Sequence, residues 1–378
     1  MIIMENIFKV LCTSFKGASS VPFTLHDNIS SLNLRRKIIK TVFKNYKELK
    51  QVLNAKVKEG QPVLAFRGTA GIGDMLRLAA VIAAVKKENP DLIFDIYVGN
   101  TKKGKFAFAA LQKRYLLQEN LLYLTYDQYD AIINISDKEP FVLIKKTPLT
   151  EQMQKVAEEN KYLMNIDTAN RAQKGFTCGE VISLTRGYDN KKQPLYCPIK
   201  LEQQNFVKGK YITVHYGWDS DVKTKRHNKV WPFEYYQTFV KLFKEKYPDI
   251  QIVQLGLDRI PHIEGCIDLR SKTTMGQASS IVKNSLLHID CDCGFVHVAY
   301  NLGTKSLVLF GPSNAEYVGY KQNLNIVSPL CNNCWDLSES WAEICPKGYK
   351  TNKCMQAIMP DMVLKQAIKI LENKIEQI

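Results

Sequence analysis

Three groups of residues in this chain have the types and spacing to do chemistry. The first is "RGTAGIGDMLRL", beginning at Arg67. It follows the apolar "PVLAF" and leads into "LAAVIAAV", so it reads as strand, glycine-rich turn and helix. Such a turn resembles a phosphate cradle in outline. Yet Gly68, Gly71 and Gly73 have the wrong spacing for the dinucleotide fingerprint. The turn also carries a carboxylate, Asp74, where a phosphate would be repelled. Either a nucleotide binds here, or the turn serves a chemistry that needs an acid.

The second group is "LLHIDCDCGFVHVAYNLG". Gly294 opens a predicted helix whose first N–H groups suit an anion. Asp292 is placed to cap it, His297 falls on its first turn, and Gly303 closes it. Each residue alone is better explained by a capped helix with a core histidine. Together at a strand end they point to a phosphate or sugar-phosphate site. The loop "KTKRHNKVWP" adds Lys223, Lys225, Arg226 and Lys229 after the strand "KYITVHYG". It is either a solvated basic surface or a lid that brings Lys229 to a diphosphate.

The third group is Cys331, Cys334, Cys345 and Cys354, four of the chain's 10 cysteines. A CxxC followed by two further cysteines fits a closed tetrahedral thiolate site, with Zn²⁺ the default and iron compatible with four sulfurs. Four reduced thiols in a loop are the alternative. Trp335 and Trp341 lie within the same stretch and would pack on it. The remaining six, Cys12, Cys178, Cys197, Cys266, Cys291 and Cys293, are scattered and read as small buried hydrophobes.

The elements that must hold these groups alternate. "PVLAF", "LIFDIYVGN", "LLYLTY" and "AIINIS" read as strands around the helix "DMLRLAAVIAAVKKENP". Residues 170–205 look irregular and suit an interdomain linker. A second alternation runs from "KYITVHYG" through "IQIVQLG", "LLHIDCD" and "KSLVLFG" to the helix "PDMVLKQAIKILENKI". This is an α/β pattern of two Rossmann-like halves, 61–200 and 205–378, the second including the Cys-rich loop 331–354. Two such halves make a cleft, and ligands would sit outside the carboxyl ends of the strands. A length of 378 residues agrees with two domains at roughly 100–200 residues each.

Residues 1–60 precede this pattern as an extension. "LNLRRKIIKTVFKNYKELKQVL" puts Leu34, Ile38, Val42, Tyr46, Leu49 and Leu53 on one helical face and lysines on the rest. Such a basic amphipathic helix either lies on an anionic membrane or packs on its own core. No run approaches about 18 consecutive apolar residues, and no signal peptide is evident, so a cytoplasmic protein is expected. The net charge of +15 favours anionic partners, whether nucleic acid, membrane surface or phosphorylated substrate, without choosing among them.

Taken in order, "GIGDMLRL", "NKVWP", "DLRSKTTMGQASSIVKNS" and "DCGFVHVAYNLGTKSLVLFGPS" resemble glycosyltransferase family 9, the heptosyltransferases, over roughly residues 62–370. The resemblance implies a GT-B fold and inverting transfer of a heptose from ADP-heptose to a hydroxyl acceptor, usually on the lipopolysaccharide core, without a metal for the transfer. It implies Asp74 as general base and Lys229 on the donor's phosphates. Asp292, Cys293, Gly294 and His297 would surround the sugar and diphosphate. Arg67 and Arg77 flank the turn, where they either bind anionic groups of the acceptor or pair with surface acids. Cys293 departs from the family, which often has threonine or another small residue there, and weakens the expected contact to the sugar. The extension 1–60 and the four cysteines resemble those relatives that glycosylate autotransporter adhesins, some of which hold iron with four cysteines. The acceptor is thus a glycolipid or a protein hydroxyl. A non-catalytic ADP-sugar binder is the alternative of another class. Nucleic acid is not an expected partner; peripheral contact with the inner face of the inner membrane and homo-oligomerisation are compatible with the pattern.

Overall fold

A computed structural model describes residues 62–68, 72–100, 105–108, 129–134, 139–190, 194–216, 228–335, 337–338 and 340–375. The basic helix of the extension, the strand "LLYLTY", Cys12 and the lysine-rich loop with Lys223, Lys225 and Arg226 lie outside the described residues. Two compact units result. One takes the chain up to Ala70, Leu78–Lys161 and Ile182–Pro194; the other takes Gly71–Arg77, Tyr162–Val181 and Leu195–Ile378. The division therefore differs from a single crossing near residue 200, and the turn bearing Asp74 is counted with the second unit.

The first unit contains β1 (Val63–Gly68), most of α1 (Ile72–Glu88), β2 (Ile93–Asn100), β3 (Lys105–Phe108), β4 (Ala131–Asn134) and β5 (Phe141–Leu143). They form one sheet in the order β3-β2-β1-β4-β5. The three central strands are parallel, while β3 and β5 run antiparallel at the edges. Val63, Leu64, Ala65 and Phe66 are all buried, as a strand covered on both faces requires. Helix α2 (Pro148–Asn160) opens on a capping box between Thr147 and Thr150, with Pro148 in its first turn.

Residues 170–190 are not the irregular linker that their turn formers suggest. They hold most of α3 (Thr168–Gln173) and all of α4 (Cys178–Thr185). Asp167 caps α3 by accepting from the Asn170 N–H. These helices are short and their apolar period weak, so capping and tertiary packing rather than periodicity define them.

The second unit contains β6 (Tyr211–His215), α5 (Phe233–Lys246), β7 (Gln251–Leu255), β8 (Ile267–Asp268), α6 (Met275–Lys283), β9 (His288–Cys291), α7 (Gly294–Asn301), β10 (Ser306–Phe310), α8 (Ala315–Val318), β11 (Leu324–Val327), α9 (Lys353–Gln356) and α10 (Pro360–Ile375). The sheet order is β11-β10-β9-β6-β7-β8, and every pairing is parallel. This is the doubly wound Rossmann order. It reverses between β6 and β9, so the carboxyl ends of those two strands flank the topological switch point where such sheets take ligands.

Helix α5 shows why this half folds as it does. Tyr236, Phe239, Val240 and Phe243 recur at helical spacing and are buried, with lysines in the last turn. Trp231, just before the helix, is fully buried. It stacks edge-on to Tyr236 at 4.8 Å, and its indole N–H donates to the Ile358 carbonyl at 2.7 Å. The Tyr236 hydroxyl donates to the His215 carbonyl at 2.9 Å, tying the helix to the end of β6. Trp231→Ala is expected to cost about 3–5 kcal/mol of stability. A shift in the denaturant midpoint, at unchanged slope, measures it.

Candidate functional site

The residues singled out around "DCGFVH" converge at the switch point of the second sheet. Asp292 leaves the end of β9 and Lys229 follows the segment after β6. The Lys229 ammonium donates to Asp292 Oδ2 at 2.6 Å, and both side chains are only 9% exposed. Burial pushes the Asp292 carboxyl up, but the charge and hydrogen bond of Lys229 outweigh it and hold the acid at about 2. Lys229 also faces the rings of Trp335 and Trp341, at 5.0 and 5.4 Å from their centroids. The Cys-rich loop thus covers the ammonium from the other side.

Asp292 does not cap α7. The N-cap is Cys293, which makes no side-chain capping bond. Asp292 lies one residue too early to be the cap and is committed to Lys229. The first N–H groups of α7 accordingly keep their anion-binding character. Gly294 opens the helix as expected, and a Cβ there would stand 2.6 Å from Ile72 Cγ2. Gly303 ends the segment in the left-handed region at φ 72°, which suits a residue without a Cβ.

His297 is buried on the first turn of α7. Its Nδ1 lies 2.7 Å from the Tyr320 hydroxyl, and the Tyr320 ring stacks on Tyr300 at 3.6 Å. The imidazole packs so tightly on Gly73 that a Cβ on that glycine would collide with it. Here lies the physical reason for one glycine of this stretch: the absence of a Cβ on Gly73 admits the His297 ring. Burial, followed by the charge of Arg77, lowers the His297 pKa from 6.5 to about 3, so the ring is neutral near pH 7.

Asp74 sits in the first turn of α1 and is half-buried. Its charge and that of Asp292 both act on Arg77. Arg77 itself is buried rather than on the surface. It donates to Cys178 Sγ and to the Val318 carbonyl, each at 2.8 Å, and lies 5.8 Å from the Tyr320 ring centroid. Of Arg67 only the backbone is described; on β1 it is in register with Tyr97 and Asn134.

The four cysteines of the loop share one neighbourhood. Cys334 and Cys354 are buried, Cys331 and Cys345 partly so. Burial first, then the mutual charges of Cys331, Cys334 and Cys345, push the Cys354 thiol up to about 12. A Cβ on Gly311 would lie 2.9 Å from Cys354 Sγ, so that glycine makes room for the thiol. Four thiols that repel one another as thiolates are a donor set that a cation would satisfy. Among the described residues, however, the group of potential ligands whose donor atoms all lie within 4.8 Å of one another is not these cysteines but His215, Asp290 and Cys293. Cys293 therefore turns toward His215 and Asp290.

Sequence reasoning missed Tyr320, Cys178, His215 and Asp290. No spacing links Tyr320 or Cys178 to the motif. His215 and Asp290 had a signal: each is an ionisable residue at or near the carboxyl end of a buried parallel strand.

The fold and site define an α/β protein with an anion-ready helix terminus and a buried lysine at the switch point of a Rossmann-order sheet. Residues 220–343 match the profile of glycosyltransferase family 9 (heptosyltransferase). This bears out the family resemblance and the glycosyltransferase class of enzyme. Among solved structures, the chain is similar to the iron-containing dodecameric glycosyltransferase TibC from enterotoxigenic E. coli H10407, at 12% identity and a TM-score of 0.59, over 83% of this chain and 77% of that one. TibC in complex with ADP-D-beta-D-heptose matches at 12% identity and a TM-score of 0.54, over 83% and 76% of the two chains. The E. coli ADP-heptose lps heptosyltransferase II aligns at 16% identity and a TM-score of 0.49, over 83% and 99%. No curated protein sequence matches the chain. Among the described residues, no helix is long and apolar enough to cross a membrane.

The buried histidine generates a pH prediction. With its folded pKa depressed to about 3, neutral His297 contributes stability that is fully present above pH 6.5 and lost as pH falls toward 3. The Asp292–Lys229 pair adds a second loss, below the usual 3.8 and toward 2. His297→Phe is expected to flatten the stability profile between pH 6.5 and about 4. Chemical denaturation at a series of pH values reads the slope.

Proposed function

We propose that this chain is an inverting glycosyltransferase that transfers a heptose from ADP-heptose to a hydroxyl acceptor, with the lipopolysaccharide or lipooligosaccharide core as the leading acceptor class. The observation that carries the reading is the grouping of Lys229, Asp292, His297 and the start of α7 with the Asp74 turn in one unit, within and beside the family-matched segment.

The acceptor oxygen attacks the anomeric carbon, the bond from that carbon to the ADP oxygen breaks, and the configuration inverts. Asp74 takes the acceptor proton; the glycines before it allow close approach. Charge builds on the departing ADP, where Lys229 and the first N–H groups of α7 stabilise it. In the resting protein Asp292 holds Lys229 in place. An ion pair of this kind avoids the cost of an uncompensated buried charge until a diphosphate arrives. Neutral His297, fixed by Tyr320, lines the donor pocket with Cys293 and Gly294. Arg67 and Arg77 are the cations assigned to anionic acceptor groups; because Arg77 is already held by Cys178 and Val318, its part is to orient the turn.

The second reading changes only the acceptor, to a protein hydroxyl on an autotransporter adhesin. The four cysteines favour it, since the resemblance ties such a set to adhesin-directed relatives. Cys331, Cys334, Cys345 and Cys354 would hold a structural zinc or iron that supplies no step of the transfer and pins the loop over Lys229. The protein would work in the cytoplasm, in peripheral contact with the inner membrane, and as a homo-oligomer.

Asp74→Asn is expected to lower kcat by about 10²–10⁴-fold with ADP-heptose affinity retained. ADP release and calorimetric donor binding measure the two. Transfer at the wild-type rate overturns Asp74 as base, and donor binding without turnover in the wild type, across glycolipid and adhesin acceptors, supports the non-catalytic sugar-nucleotide binder instead. Separately, Cys331→Ser is expected to lose metal on elemental analysis; wild-type protein purified without chelator and free of metal counts against the thiolate site.

A further inference from the structure

Beside the Lys229–Asp292 pair, the second unit buries another set of ligand-bearing side chains. His215 ends β6, Asp290 lies on β9 and Cys293 precedes α7. His215 Nδ1 is 3.1 Å from both carboxylate oxygens of Asp290, and the Cys293 thiol is hydrogen-bonded with His215. A second histidine, His288, sits two residues before Asp290 and therefore on the same face of β9. Its Nε2 is 3.4 Å from Asp290 Oδ2. His288 is 0% exposed, and that nitrogen makes no hydrogen bond. The other ring nitrogen lies 3.0 Å from Thr213 Oγ1, which sets the ring's direction.

We propose that His215, Asp290 and Cys293, with His288 as fourth donor, form a binding site for one divalent transition metal, zinc by preference. The donor atoms of His215, Asp290 and Cys293 already lie within 4.8 Å of one another and need only a small closure to share an ion at about 2.0–2.3 Å from each; His288 lies outside that group and approaches it through Nε2, 3.4 Å from Asp290 Oδ2. The charges balance. A thiolate and a carboxylate offset a dication, and the two imidazoles bind neutral, so a site at the base of the sheet carries no net charge into the interior. The sulfur and nitrogen donors select against magnesium and calcium, which prefer all-oxygen shells. An outer shell is in place: the Cys291 N–H donates to Asp290 Oδ1 at 2.7 Å, and Thr213 holds His288. Gly256 leaves space beside the ring, since a Cβ there would stand 3.0 Å from His215 Cδ2.

The site spans the switch point, with ligands from the ends of both β6 and β9. A metal there clamps the two strands together, with Cys293 next to Asp292 in the chain. It positions the strand end that carries the Lys229 partner and acts on no reacting atom. The inference does not depend on the identity of the transferred sugar or its acceptor.

The test is the zinc content of the full chain, by elemental analysis of zinc-grown, folded protein. His215→Gln and Cys293→Ser are each expected to lose one equivalent relative to wild type. The Cys331→Ser/Cys334→Ser double variant is expected to keep that equivalent. Equal zinc content in wild type and a folded His215→Gln variant, including none in either, overturns the site. Should the first two variants fail to fold, cobalt titration of the double variant decides the matter: one equivalent with tetrahedral d–d absorption is expected, and no cobalt absorption overturns the proposal.

Discussion

Lys229 and Asp292 form a buried ion pair at the switch point of the second sheet, and much of that unit is arranged around it. An ammonium and a carboxylate removed from water each carry a penalty of several kcal/mol unless they meet in good geometry. The contact at 2.6 Å provides that geometry. Trp231 and Tyr236, which follow Lys229 in the chain, are anchored to the Ile358 and His215 carbonyls. The pair then sets what surrounds it. Asp292 is held by Lys229, and the N-cap Cys293 makes no side-chain capping bond to α7. Two tryptophans of the Cys-rich loop cover the ammonium, which joins the loop to the site without a bond between cysteine and substrate.

A second set of constraints links the glycine turn to α7. His297 occupies the volume over Gly73 and is held by Tyr320, which in turn stacks on Tyr300 and meets Arg77. The imidazole is neutral because burial and a nearby guanidinium both oppose its charge. Arg77, spent on Cys178 and Val318, is a strut rather than a surface cation. Asp74 is thus presented on a turn whose neighbours are fixed from several elements. The general base proposed at Asp74 would need such fixed neighbours to meet an acceptor hydroxyl in one orientation.

The alternation of apolar strands and amphipathic helices from β6 to α10 was legible in the sequence because each element satisfies its own period. In α5 the buried residues recur at helical spacing, and β6 and β10 are largely apolar runs of the length a covered parallel strand needs. The position of Asp292, Gly294 and His297 at a strand end and helix start was legible for a related reason: the glycine and the change of period mark that junction in the sequence. The short helices α3 and α4 were hidden, since turn formers such as Asp167 cap helices as readily as they break them. The short edge strands β5, β8 and β11 offer too few residues for a period to show.

Sequence by itself determined the α/β class, the order of the second half's elements and the residue types at its strand ends, because these follow from local periodicity and from the short-range chemistry of glycine and proline. Only the tertiary structure decided which partner each polar residue takes. Asp292 chose Lys229 over a cap, Arg77 became buried, Gly73 made room for His297, and His215, Asp290 and Cys293 came together from separate elements. Such choices depend on contacts across tens to hundreds of residues, such as Arg77 with Val318 at a separation of 241. No window of sequence holds both members of such a pair, and burial alone fixes which of the available partners must be satisfied.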